Sequence, residues 1–240
     1  MQSQLASVRT RLANARHIVA FTGAGMSAES GLATFRGPSG LWEGARPEDL
    51  ATPNAFRRNP QRVWRWYNWR RAELAKARPN KGHEALAAAA QHVRLTIITQ
   101  NVDRLHQAAG SRDVIELHGN LHEVRCTACG ATFDKSEETL DEEPTCDDCD
   151  GLLRPAVVWF GEELPRDALA HAWQQVVACD VLLVIGTSGV VQPAAGLVHD
   201  AMRAGSHVVE INTEPTNYSG VVDVSLHGPC GMILPQILPS

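Results

Sequence analysis

Two C-x-x-C pairs, CTAC at 126–129 and CDDC at 146–149, stand sixteen residues apart in this 240-residue chain. Four thiolates at that spacing close around a tetrahedral zinc ion, so Cys126, Cys129, Cys146 and Cys149 read as a structural zinc site with no position left for water. A redox dithiol is the other chemistry such pairs support. Gly130 and Gly151 follow the two pairs and supply the permissive backbone of such turns. Cys179 and Cys230 have no partner of this kind.

A second chemical signal is TGAGMSAESG, residues 22–31, directly after the apolar run HIVAF. Gly23, Gly25 and Ala28 fit G-x-G-x-x-[GA], where the glycines allow a tight turn and the close approach of a pyrophosphate. The alternative is a turn with no ligand. The acidic residue that commonly ends the second strand of such a unit is absent, and the chain runs instead into ATFRGPSGLW. A standard hydride-transfer dehydrogenase is therefore disfavoured.

Two further stretches end apolar runs. TQNVDRLH (99–106) sets Gln100, Asn101 and Asp103 after LTIIT, and ELHGN (116–120) puts His118 after DVIEL. Open α/β sheets bind their ligands at the carboxyl ends of strands, and an imidazole titrating near neutrality suits a general base there. Around WRWYNWRRAEL (64–74), Val63, Tyr67, Arg70 and Leu74 share one helical face. Arg70 thus occupies a slot where an apolar residue is expected. Its stem could pack on the tryptophans, it could pair with a protein carboxylate, or it could bind an anion.

The elements that must position these residues are short β-rich runs alternating with helical stretches. HIVAF, LTIIT, DVIEL, AVVWF, DVLLVIG, HVVEIN and VVDVSL are the runs, with helices at about 81–92, 165–178 and 193–204. Mostly continuous apolar runs suit strands buried on both faces of a parallel sheet, so the fold class is α/β, doubly wound. The Arg/Trp-rich stretch 36–80 and the cysteine stretch from about 119 break this rhythm and form a second, smaller lobe.

Composition limits the partners. A net charge of −5 disfavours a broad nucleic-acid or membrane footprint. Neither a signal peptide nor a membrane span is legible, which implies the cytoplasm and reduced cysteines.

Taken together, GAGMSAESG, FRG at 35–37, QNVD at 100–103, HG at 118–119, the four cysteines, VVWFGE at 157–162, GTS at 186–188 and NTE at 212–214 resemble the sirtuins over essentially the whole chain. These are NAD-dependent protein lysine deacylases. The resemblance implies a Rossmann-like NAD-binding domain assembled from 1–35, 81–118 and 156–240, a helical module at 36–80 and a zinc-binding module at 119–155. It implies NAD as a consumed co-substrate, one structural zinc, acylated lysine of proteins as substrate, and a monomer.

Residue by residue, the resemblance puts Gly23, Ala24, Gly25 and Ser27, then Thr34, Phe35, Arg36 and Trp42, around NAD. Gln100, Asn101 and Val102 would surround the nicotinamide ribose, and Asp103 would hold the nicotinamide pocket. Gly186, Thr187 and Ser188 would approach phosphates and ribose, Asn212, Thr213 and Glu214 the adenosine ribose, and Cys230 the adenine. Val158, Trp159, Phe160, Gly161 and Glu162 would pair with the substrate peptide as an added strand. His118 and Asn101 would be catalytic: the acyl oxygen attacks the anomeric carbon as nicotinamide departs, and His118 then deprotonates a ribose hydroxyl.

One departure separates branches of the family. Most deacetylase-type members carry Asp before Phe-Arg, whereas this chain reads ATFRG, with Ala33 and Thr34. It is similar to the branch with Thr there and Tyr-x-x-Arg in the helical module, matched by Tyr67 and Arg70, with the small Ala51 leaving room for a bulky acyl group. A succinyl or malonyl lysine ends in a carboxylate that a guanidinium and a phenol can bind. The expectation is a desuccinylase and demalonylase with weaker deacetylation. A plain deacetylase and a mono-ADP-ribosyltransferase are the alternatives.

Overall fold

The computed structural model describes residues 2–34 and 46–239. Helix α1 (Gln2–Ala13) leads into β1 (His17–Thr22), buried along its whole length. A 3₁₀ segment, Ala24–Ser30, follows. Helices α2 (Pro47–Leu50), α3 (Pro53–Arg58) and α4 (Pro60–Lys76) each start on a proline, where the missing N–H costs no helical hydrogen bond. Thr52 and Asn59 cap α3 and α4 by accepting the N–H groups of Ala55 and Arg62.

The chain returns through α5 (Lys81–Ala89), β2 (Arg94–Thr99), α6 (Leu105–Ala108) and β3 (Val114–Glu116). It then leaves in β4 (Gly119–Cys126), β5 (Thr132–Asp134) and β6 (Leu153–Val157). The last part is α7 (Arg166–Ala178), β7 (Val181–Ile185), α8 (Gly196–Ala204), β8 (His207–Asn212), β9 (Val224–His227) and α9 (Cys230–Ile237). Six strands form a parallel sheet in the order β3-β2-β1-β7-β8-β9. The order reverses between β1 and β7, which opens a crevice at their carboxyl ends. Apolar cores cover both faces of the sheet. A third core joins Trp64 and Tyr67 of α4 to Leu153 and Trp159. Among the described residues no helix is long and apolar enough to cross a membrane.

Two runs depart from the sequence reading. AVVWF is not a strand of the parallel sheet: β6 pairs antiparallel with β4 in a separate three-stranded sheet. Its neighbour in space is the strand from which the cysteine module departs, and antiparallel pairing needs no crossover helix. Beyond Val157 the backbone is tied at two points, Val158 N–H to the His118 carbonyl and Phe160 N–H to that of Ala51, each at 2.9 Å. In VVDVSL the strand begins only at Val224, because the N–H groups of Val221 and Val222 close a turn onto the Tyr218 carbonyl.

Candidate active site

The crevice is a cleft of about 720 Å³ between the parallel sheet and the smaller lobe. Its floor is a backbone crossing. Gly23 N–H donates to the Ile185 carbonyl at 2.9 Å and Gly25 N–H to that of Gly186 at 2.8 Å. A Cβ on Gly25 would stand 2.7 Å from the Gly186 Cα, and Gly186 itself has φ +59° with Met26 N 2.4 Å from its missing Cβ. Only glycine fits on both sides of that crossing, so the motif packs the first loop against the end of β7.

From this floor, Gly23, Ala24, Gly25 and Thr34 line one wall, and Gly186, Thr187 and Ser188 the next. Gln100 Nε2 donates to Thr187 Oγ1 at 3.0 Å, and Asn212 Nδ2 to the Thr187 carbonyl at 3.1 Å, so β2 and β8 both grip the loop after β7. Thr213, Glu214 and Cys230 complete that end. The Cys230 thiol is pushed up to about 12 by burial and the adjoining Glu29 carboxylate, which keeps it a neutral thiol.

At the other end Asn101 is buried and donates from Nδ2 to the Gly23 carbonyl at 3.0 Å and to Ser27 Oγ at 3.1 Å. Ser27 passes its own hydrogen to Asp103 at 2.7 Å. Burial raises the Asp103 carboxyl, opposed by the Ser27 and Leu105 donors and by Arg70. Ser27 and Asp103 line a smaller cavity of about 130 Å³ that shares Ala24, Arg70, Asn101 and Val102 with the main cleft.

His118 also lines the cleft, with Nδ1 2.9 Å from the Gln100 carbonyl oxygen. Burial lowers its pKa from 6.5, with the Gln100 contact opposing. The next residue holds it there: Gly119 has φ +68°, and a Cβ would meet the Ala156 carbonyl oxygen at 2.0 Å.

Tyr67 and Arg70 of α4 face the same cleft, as do Val158, Trp159, Phe160, Gly161 and Glu162. Val63, Tyr67 and Leu74 are buried, as the helical face required. Arg70 lies over the rings of Trp66 and Tyr67, 5.0 and 5.8 Å from their centroids. Of the neighbouring tryptophans, Trp64 alone is fully buried, donating to the Leu153 carbonyl at 2.9 Å. Trp66 lines the cleft and Trp69 is 48% exposed. Phe35, Arg36 and Trp42 lie outside the described residues.

Sequence reading passed over Arg154. It is buried and grips both Glu162 oxygens, at 2.5 and 2.8 Å, with its guanidinium 3.5 Å above the Trp159 ring. A lone arginine within the apolar run LLRPAVVWF was the available signal.

The four zinc-module cysteines converge, all sulfurs within 4.8 Å of one another. Two of the pairs, Cys126–Cys149 at 3.5 Å and Cys129–Cys146 at 3.8 Å, match the ~3.8 Å edge of a tetrahedron with ~2.3 Å zinc–sulfur bonds. The donor set fits a structural zinc ion.

Comparison with known proteins gives one answer. The model of the Sir2 family matches residues 23–193. NAD-dependent protein deacylase 2 of Pyrobaculum aerophilum is 52% identical over 233 residues, 97% of this chain and 94% of the relative. Among solved structures, a Sir2 homolog–NAD complex superposes with a TM-score of 0.91 at 47% identity, covering 97% of this chain and 91% of that one. Sir2Af2 bound to a myristoylated histone peptide gives 0.81 at 35% identity, covering 99% and 95%.

Proposed function

The chain belongs to the Sir2 family, the sirtuins, and from that premise we propose that it is a protein lysine deacylase favouring succinyl and malonyl groups over acetyl. NAD-dependent deacylation is what its relatives' names have in common. The acidic preference is carried by one observation: Tyr67 and Arg70, one helical turn apart, border the cleft that also contains His118. A carboxylate bound by a guanidinium gains roughly 1.5–3 kcal/mol, or ~10- to 100-fold in selectivity.

Bound NAD supplies an anomeric carbon that loses nicotinamide to the attacking acyl oxygen. The protein's own groups orient and move protons. Asn101 is fixed by Gly23 and Ser27, and Asp103 receives the Ser27 hydrogen, which makes this corner a rigid polar wall for an amide. His118 is the general base: with Nδ1 against a carbonyl, Nε2 keeps its lone pair for a hydroxyl proton. Backbone groups of the 158–162 segment add a substrate strand. The three-part Rossmann-like domain with a helical and a zinc-binding module belongs to the same reading.

A plain deacetylase remains the rival because Arg70 also feels the Asp103 carboxylate, a partner inside the protein. Steady-state turnover of succinyl-, malonyl- and acetyl-lysine versions of one peptide with NAD decides between them. A higher kcat/KM for the acidic acyl groups supports the proposal, and a preference for acetyl replaces it with the rival.

A further inference from the structure

Trp159 is only 3% exposed and stands against Tyr67, its Nε1–H donating to the phenol oxygen at 2.8 Å. The direction of this bond is fixed, because an indole nitrogen donates and cannot accept. Tyr67 is therefore the acceptor and must send its own hydrogen elsewhere. Neither flanking group can take it: the guanidinium of Arg70 is also donor-only. Burial raises the Tyr67 pKa, so the hydroxyl stays protonated. Tyr67, Arg70 and Trp159 all border the cleft.

Trp159 is itself locked. Arg154 stacks on one side of the ring, 3.5 Å from its centroid, and the Phe56 ring lies 5.2 Å away at 42°. Glu162 receives the Trp159 backbone N–H at 2.8 Å while gripping Arg154. One partly buried ion pair thus fixes both the ring and the backbone of the residue that touches the phenol.

We infer that Trp159 is a positioning residue for acyl selection: its indole N–H holds Tyr67 as an acceptor so that the phenol delivers its hydrogen to an acceptor at the distal end of the acyl group. The inference rests on the acidic-acyl reading of the cleft. It adds that selectivity requires a hydrogen-bond direction, set by Arg154, Glu162 and Trp159, as well as the charge of Arg70. The ligand class is an acyl-lysine whose far end carries oxygen acceptors.

The test is kcat and KM for succinyl and acetyl versions of one peptide, at saturating NAD, for wild type, Trp159→Phe, Tyr67→Phe and the double variant. Trp159→Phe lowers the succinyl-to-acetyl ratio of kcat/KM about fivefold, mainly through the succinyl KM, as expected for one lost orienting hydrogen bond. In the Tyr67→Phe background the second change lowers that ratio no further. Equal losses on both peptides, or effects on the ratio that multiply, overturn the inference. If Trp159→Phe fails to fold, 3-benzothienylalanine at position 159 keeps the bicyclic shape and exchanges N–H for sulfur. It should reproduce the fall in ratio at an unchanged melting temperature, and a ratio equal to wild type rejects the role. Wild-type enzyme that prefers acetyl ends the acidic-acyl reading and this inference with it, before any variant is made.

Discussion

His118 Nδ1 lies 2.9 Å from the carbonyl oxygen of Gln100, which ties the imidazole to the residue that follows β2. A carbonyl only accepts, so the hydrogen sits on Nδ1 and the basic lone pair on Nε2. Burial lowers the His118 pKa from 6.5. The active base form therefore persists below pH 6.5, and kcat/KM should rise along an acid limb centred below that value and stay flat through neutrality. His118→Ala should lower kcat by about 10²- to 10⁴-fold with the melting temperature little changed. A limb centred well above 7, or retained turnover in the variant, removes His118 from the reaction.

Arg70→Met tests the charge in the proposed acyl pocket. Methionine keeps the apolar stem over Trp66 and loses the guanidinium. The succinyl-to-acetyl ratio of kcat/KM should fall by about ten- to a hundredfold, chiefly through the succinyl KM. If the ratio stays at its wild-type value and only the melting temperature moves, Arg70 serves the fold through Asp103.

What was legible in the sequence followed from periodicity and spacing. Continuous apolar runs gave β1, β2, β7 and β8, because a strand buried on both faces has no polar side to show. The shared face of Val63, Tyr67, Arg70 and Leu74 gave α4. The cysteine pairs converged as their spacing required. AVVWF failed because an apolar run does not say which sheet it joins; that depended on β4 lying beside it. Arg154 was passed over for a related reason: its partners, Glu162 and the Trp159 ring, lie across a turn that no period encodes.

The four-cysteine module is mechanically joined to the proposed acyl pocket. Cys126 pairs in register with Leu153 of β6, whose carbonyl receives Trp64 of α4 and whose next residue is Arg154. Cys146→Ser should release zinc, measured by metal analysis. It should also lower the melting temperature by on the order of 10 °C, since structural zinc contributes folding free energy. Loss of zinc should weaken succinyl binding before NAD binding, because α4 and Arg154 hang from this sheet and the glycine crossing does not. A folded, zinc-free variant with wild-type acyl selectivity contradicts the connection.

His83 and His106 make the fold acid-sensitive apart from any role in the reaction. Both are buried, with ring centroids 4.8 Å apart. His83 Nδ1 accepts the Asn80 N–H at the start of α5, while His106 Nε2 lies 3.0 Å from Thr22 Oγ1 at the end of β1. Burial brings His83 down to about 4, and burial with the neighbouring His83 brings His106 down to about 3. Below 6.5 the unfolded chain takes up these protons and the folded chain does not. Their contribution is therefore complete above pH 6.5 and is lost as pH falls through 5 toward 4 and 3. Each group adds a slope approaching about 1.4 kcal/mol per pH unit in that window. Urea unfolding from pH 6.5 to 5, above the range where most carboxylates titrate, should show His106→Gln with the shallower dependence by up to one proton. An equal slope in the two proteins means that His106 titrates alike in the folded and unfolded chains, and that the buried pair does not set the acid limit of the fold.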